Sequence, residues 1–193
     1  MSIYRRATAR RGFTLIELIV FILIVGIAVA GLVKIFSFTT SRSADPQLRK
    51  QALALAEGML EEVELARFTF CDPLADPAAD TASGAGACST PQQPRAAAPA
   101  TGRPYYNVSD YVRAFNQAVS YSTDAAGNKF PAGYTVNVTI NPDAGLGPSG
   151  ATVPSDATPA NMNALRITVA VSYANGSVAL TGYRTRYAPN AIP

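Results

Sequence analysis

The chain has 193 residues, sixteen basic and thirteen acidic, and 48% of it is hydrophobic. It has no histidine and only two cysteines. The missing histidine excludes Ser-His-Asp and Cys-His chemistry and the commonest zinc ligand, and two thiols are too few for a four-thiolate metal site. Four of the basic residues, Arg5, Arg6, Arg10 and Arg11, precede Gly12, so the rest of the chain carries twelve basic against thirteen acidic residues. A nearly neutral body lacks the basic face that nucleic-acid binding requires, and no nucleic-acid partner is expected.

After the arginines the sequence turns apolar from Phe13 to Phe36, with no charge between Leu18 and Val33. Phe13 to Val33 is about 21 residues, enough to cross a hydrocarbon core as a helix. Arginines before the span and only Lys34 close behind it put the N-terminus in the cytoplasm and the remainder outside. A cleaved secretory signal would have a shorter apolar core followed by small residues, and here Lys34-Ile35-Phe36 follows. Glu17 stands inside the apolar block, where a lone carboxylate is costly and marks function or a partner. It either lies at the interface or, after cleavage between Gly12 and Phe13, pairs with a free N-terminal amine, its own or a neighbour's. In the second case it also faces the positive end of the helix dipole.

Past the span, Asp45 and Pro46 suit the N-cap and first position of a helix reaching about Arg67. Pro46 is expected to kink or restart the helix there. Leu48, Ala52, Leu55, Ala56, Met59 and Val63 recur at three- and four-residue spacing and predict a packing face. Residues 71–104 are rich in Ala, Pro, Gly, Ser and Thr, a composition that predicts loop without a core. Cys71 and Cys88 lie within it, and export would make a disulfide between them the expected state. Asp72, Asp76 and Asp80 are spaced by four, but Pro73 and Pro77 contradict helical spacing, and no metal site or cofactor is expected.

Asn107-Val108-Ser109-Asp110-Tyr111 predicts a short helix capped by Ser109 or Asp110, with Val112, Phe115 and Val119 on one face. Three strands follow. Tyr134, Val136, Val138 and Ile140 alternate with polar residues, as do Leu165, Ile167, Val169, Val171 and Tyr173. Period two with one apolar face predicts an antiparallel sheet over a core. Asn175-Gly176 predicts a two-residue hairpin turn pairing Tyr173 with Val178, Val171 with Leu180 and Val169 with Gly182. The apolar pattern shifts beyond that point, so a bulge is expected near Gly182.

The segment Arg11-Gly12-Phe13-Thr14-Leu15-Ile16-Glu17 resembles the processing motif of type IV prepilins and type II secretion pseudopilins. The resemblance implies that a prepilin peptidase cuts between Gly12 and Phe13 and methylates the Phe13 amine. It also implies that Glu17 guides assembly by neutralising the amine of an adjacent subunit. The implied fold is α+β and pilin-like, a long N-terminal helix packed under an antiparallel sheet. The expected parts are a cytoplasmic leader (1–12), a transmembrane and filament-core helix (13–36), its amphipathic continuation (43–68) and a sheet domain with long loops (69–193).

Four further segments resemble the MshD group of minor pilins of mannose-sensitive haemagglutinin (MSHA) pili. They are Ser43-Ala44-Asp45-Pro46, residues 51–62, Cys71-Asp72-Pro73 and Asn107 to Tyr111. Lys34 and the absence of a proline before Pro46 point the same way, towards a minor subunit. The expected role is structural, without enzyme activity, in a type IV pilus and with a share in adhesion. The alternatives are a type II secretion pseudopilin or a membrane-anchored binding module. The implied partners are prepilin peptidase, other pilins and inner-membrane lipid, with the body periplasmic before assembly.

Overall fold

A computed structural model describes residues 12–174 and 176–187. One helix, α1, runs over Leu15–Leu65, 51 residues with Pro46 inside. The chain divides into two compact units, Met1–Pro46 and Gln47–Pro193.

In the first unit, the part of α1 from Leu15 to Ser37 is long and apolar enough to cross a membrane. Its Ile and Val residues are modest helix formers in water. In lipid a helix satisfies every backbone group within the segment, which favours it there regardless of side-chain propensity. The large apolar side chains are exposed throughout, from Phe13 at 80% to Phe36 at 69%.

The expected restart at Asp45 does not occur, because helical backbone continues through Asp45 and Pro46. The Asp45 side chain lies outside the described residues. Proline costs a helix interior one hydrogen bond and about 3 kcal/mol, and α1 accommodates it. The helix ends at Leu65, two residues short of the expected end.

In the second unit, α1 covers a four-stranded antiparallel sheet of β1 (Val119–Tyr121), β2 (Thr135–Pro142), β3 (Ala164–Tyr173) and β4 (Gly176–Thr185), in that spatial order. Ala52, Ala56, Met59 and Val63 from α1 form one core with Val136, Val138 and Ile140 of β2 and Leu165, Ile167, Val169 and Val171 of β3. The two alanines let the helix lie close on the branched strand residues. Each fully buried Val, Ile or Leu contributes roughly 1.5–3 kcal/mol. The expected α+β arrangement of a long apolar N-terminal helix and an antiparallel sheet is therefore present.

Three local expectations are corrected. First, β1 was not among the expected strands. It is three residues long and is held by pairing of Val119–Tyr121 with Val138–Val136, which leaves almost no periodic signal. Second, the β3–β4 hairpin is two residues off the expected register. Tyr173 pairs with Gly176, Val171 with Val178, Val169 with Leu180 and Ile167 with Gly182. The Asn175 half of the expected turn lies outside the described residues. Third, pairing is continuous from Ala164–Thr185 to Tyr173–Gly176, so no bulge occurs at Gly182. The pattern shift has another cause: a Cβ on Gly182 would lie 1.8 Å from Glu64 Oε1 and 3.2 Å from Leu60 Cδ1 of α1.

The segment between α1 and β1 is also more ordered than its composition predicts. It holds short 3-10 helices at Pro77–Asp80, Ala85–Ala87 and Val108–Tyr111. Cys71, Ala79 and Ala82 form a small core of their own with Phe70, Ala78 and Cys88. The cap at Val108–Tyr111 is Asn107, with Asp110 closing a capping box, in place of the expected Ser109 or Asp110 cap.

Candidate functional site

The segment that carries the sequence signals begins in non-helical backbone at Gly12–Thr14 and enters α1 at Leu15. Thr14 starts the helix. Its Oγ1 accepts a hydrogen bond from the Glu17 N–H at 3.4 Å, and its carbonyl accepts from the Leu18 N–H at 3.2 Å. Thr14 is thus an N-cap missed in the sequence reading, although Thr-x-x-Glu before an apolar run is the usual signal for one. The cap places Glu17 in the first helical turn, next to the positive end of the helix dipole. The Glu17 side chain is exposed.

Gly12 is not demanded by the fold. Its backbone is not left-handed, and nothing lies within 4 Å of the position a Cβ would take. Phe13 is 80% exposed. Gly12 and Phe13 therefore lie in exposed, non-helical backbone directly before the capped helix start that carries Glu17.

Residues 8–33 match the family described as the prokaryotic N-terminal methylation motif. The match supports a type IV pilin or prepilin-type family, whose members are structural. It implies processing by prepilin peptidase and assembly with other pilins, and with the single apolar N-terminal helix it fits a membrane-anchored pilin. No curated protein and no solved structure matches the chain.

Within the second unit, buried polar contacts fasten α1 to the segment that follows it. Arg103 donates to both carboxylate oxygens of Glu62, at 2.9 Å from Nε and 2.5 Å from Nη2, with both side chains under 10% exposed. Tyr111 donates its hydroxyl to Glu62 Oε1 at 2.9 Å, and Tyr121 donates to the Tyr111 carbonyl at 2.6 Å. Burial, reinforced by the Glu62 charge, pushes the Tyr111 phenol far above its ordinary range. These contacts tie α1 to the segment leading into β1. Arg186 sits between the rings of Phe68 and Phe70, and burial pulls its guanidinium down to about 10.

Cys71 and Cys88 are joined in a disulfide, as expected. Beside it, Phe70 to Asp72 run antiparallel to Thr90 to Gln92, through Asp72 N–H to the Thr90 carbonyl and Gln92 N–H to the Phe70 carbonyl. The three aspartates go to different partners. Asp72 pairs with Arg95, and Asp80 pairs with Arg67. Asp76 accepts from Ala78 N–H, Ser89 Oγ and Thr90 N–H. These bonds, with the Thr90 and Ala78 N–H groups foremost, hold the Asp76 carboxyl below its ordinary value. Among the described residues the one grouping of potential ligand atoms is Asp76 with Cys71 and Cys88, and those two sulfurs are bonded to each other.

Proposed function

We infer that the chain is a structural minor pilin of a type IV pilus of the MSHA kind, resembling the MshD group. The pilin part of this reading is carried by the methylation-motif match over residues 8–33, which spans the end of the arginine-rich leader and the capped start of α1, and the MSHA part is supported by the segment resemblances alone. Prepilin peptidase cuts between Gly12 and Phe13 and methylates the new Phe13 amine. The segment from Phe13 to Phe36 anchors the subunit in the inner membrane, with the leader cytoplasmic and the body periplasmic. On assembly the same segment enters the filament core, and the sheet domain faces outward, where it can take part in adhesion.

Chemistry supports the assignment of Glu17. Cleavage creates a cation at Phe13 inside the apolar layer, and an unpaired charge there is costly. A carboxylate four residues on, held in the first turn by the Thr14 cap, offers that cation a partner on the neighbouring subunit. This pairing lets one helix end be buried against another.

The test is the N-terminus of the chain isolated from cells that carry a prepilin peptidase. Mass spectrometry is expected to find N-methylated Phe13 as the first residue, and sheared surface pili are expected to contain the chain. A chain that keeps Met1, or one cut beyond Ser37, overturns the assignment. Recovery with a secretion apparatus and absence from pili would move the protein to the type II pseudopilins.

A further inference from the structure

The two edges of the sheet differ. β1, at one edge, is three residues long, and so short a strand offers little backbone to another chain. β4, at the other edge, is ten residues long. Its ladder to β3 is continuous, and just beyond it the Arg186 N–H donates to the Asn163 carbonyl. Hydrogen bonding alternates along an antiparallel pair, so Val178, Leu180, Gly182 and Arg184 direct their backbone groups to β3, while Ser177, Ala179, Thr181 and Tyr183 direct theirs to the open side. Among the described residues nothing bonds to those outward groups. The strand has no proline, lysine or bulge, the usual guards of an open edge.

The flank beside this edge is incompletely covered as well. Val178 and Leu180 pack against the core but are only half-buried, as is Leu60 of α1. Arg184 lies on the same side of β4, half-buried, with its Nε shielded from water and without a hydrogen-bond partner. Among the described residues no ion pair involves it, not even with Glu64, which lies against Gly182. A shielded guanidinium N–H without a partner is costly, and a carboxylate placed beside it would relieve that cost.

We propose that the open edge of β4 is a docking site for an extended segment of a different protein chain. The segment adds to the sheet beside β4, lays apolar side chains over Val178, Leu180 and Leu60, and sets a carboxylate against Arg184. Strand addition of this kind takes its affinity from main-chain hydrogen bonds and its specificity from alternate side chains. A second copy of this chain does not supply the acid at its own sheet edges, because neither β4 nor β1 contains aspartate or glutamate. The partner is therefore another protein, with a strand that alternates apolar residues and carries an acid near one end. The surface stands on the sheet alone, apart from the membrane segment and its processing.

The probes are synthetic peptides as long as β4, alternating threonine and valine, with one valine replaced by glutamate. The glutamate stands near the N-terminal end for antiparallel addition or near the C-terminal end for parallel addition. Each peptide is added in excess to the full-length protein in detergent, and hydrogen exchange is followed residue by residue. One of the two is expected to slow exchange at Ala179, Thr181 and Tyr183 by about tenfold or more, and far more than at Leu180, whose N–H already bonds to β3. Lysine in place of the peptide's glutamate is expected to weaken binding several-fold, and Arg184→Gln to erase that difference. Thr181→Pro removes an outward N–H and leaves the β3 ladder, so it is expected to abolish binding while the sheet stays folded. N-methylation of the peptide's bonding N–H groups tests the same bonds without altering the protein. No protection with either glutamate peptide would overturn the proposal. So would protection at these three positions in the protein alone, which would mean that residues 188–193 or a second copy already cover the edge. Equal binding of the glutamate and lysine peptides would overturn the acidic partner.

Discussion

Gly182 of β4 lies directly against Glu64 of α1, so close that a Cβ at residue 182 would come within 1.8 Å of Glu64 Oε1. The Glu64 carboxylate ends a flexible side chain and can swing aside, but Leu60, 3.2 Å from the same point, belongs to the packed layer. Gly182→Ala is expected to cost up to about 1 kcal/mol and Gly182→Val about 1–3 kcal/mol through overpacking. Thermal melts of the purified protein would measure both, and a Val variant as stable as the parent would show that the helix does not press on this strand.

The Glu62–Arg103 pair predicts a second stability effect. Removing one partner of a buried pair leaves an uncompensated charge, at about 3–5 kcal/mol. Arg103→Ala should therefore destabilise strongly, whereas Tyr111→Phe, which removes a single hydrogen bond to Glu62, should cost about 1–3 kcal/mol. Denaturant unfolding of the two variants gives the comparison, and a milder effect for Arg103→Ala than for Tyr111→Phe would contradict the order.

The Cys71–Cys88 bridge closes a loop of separation 17. Replacing both cysteines by serine should cost about 3 kcal/mol in the chain-entropy account. Native protein treated with an alkylating reagent should stay unlabelled at both positions until reduced. Labelling before reduction would mean that the bridge does not form in the cell.

Gly12→Ala separates folding from processing. Open space and ordinary backbone at residue 12 predict no change in the fold. The expected outcome is an uncut leader, seen as the larger band on a gel from peptidase-positive cells. A normal-size mature band would remove Gly12 from the recognition of the cleavage site.

Glu17→Ala should still be inserted in the membrane and cut, because the apolar span and the Thr14 cap are untouched. Its recovery in sheared pili should fall at least tenfold. Undiminished recovery would mean that some other group neutralises the Phe13 amine.

The N-terminal part of the chain was the most legible. A run of apolar residues after four arginines, one glutamate within it and Gly-Phe before it are local features, and the helix they predict needs no partner to define it. The alternation in β2 and β3 was equally readable, because one buried sheet face imposes period two on consecutive residues. Thr14 was legible but overlooked, and the cap was misplaced from Asn107 by two or three positions because Asn107, Ser109 and Asp110, all within four residues, can each cap a helix.

What the sequence by itself determined is the anchor and the two central strands, since hydropathy and side-chain period act along the chain. What only the tertiary structure decided are the contacts between distant segments. The hairpin register, Val171 with Val178, lies two residues from the one expected from Asn175-Gly176, and a two-residue shift leaves the same side chains on the face that α1 covers, so the apolar pattern alone could not choose between the two. The reason for Gly182 is a helix more than a hundred residues earlier in the chain. The polar fastening of Glu62, Arg103 and Tyr111 likewise joins groups that no local pattern links. Such contacts depend on which surfaces meet, and that is fixed only once the helix and the sheet share one core.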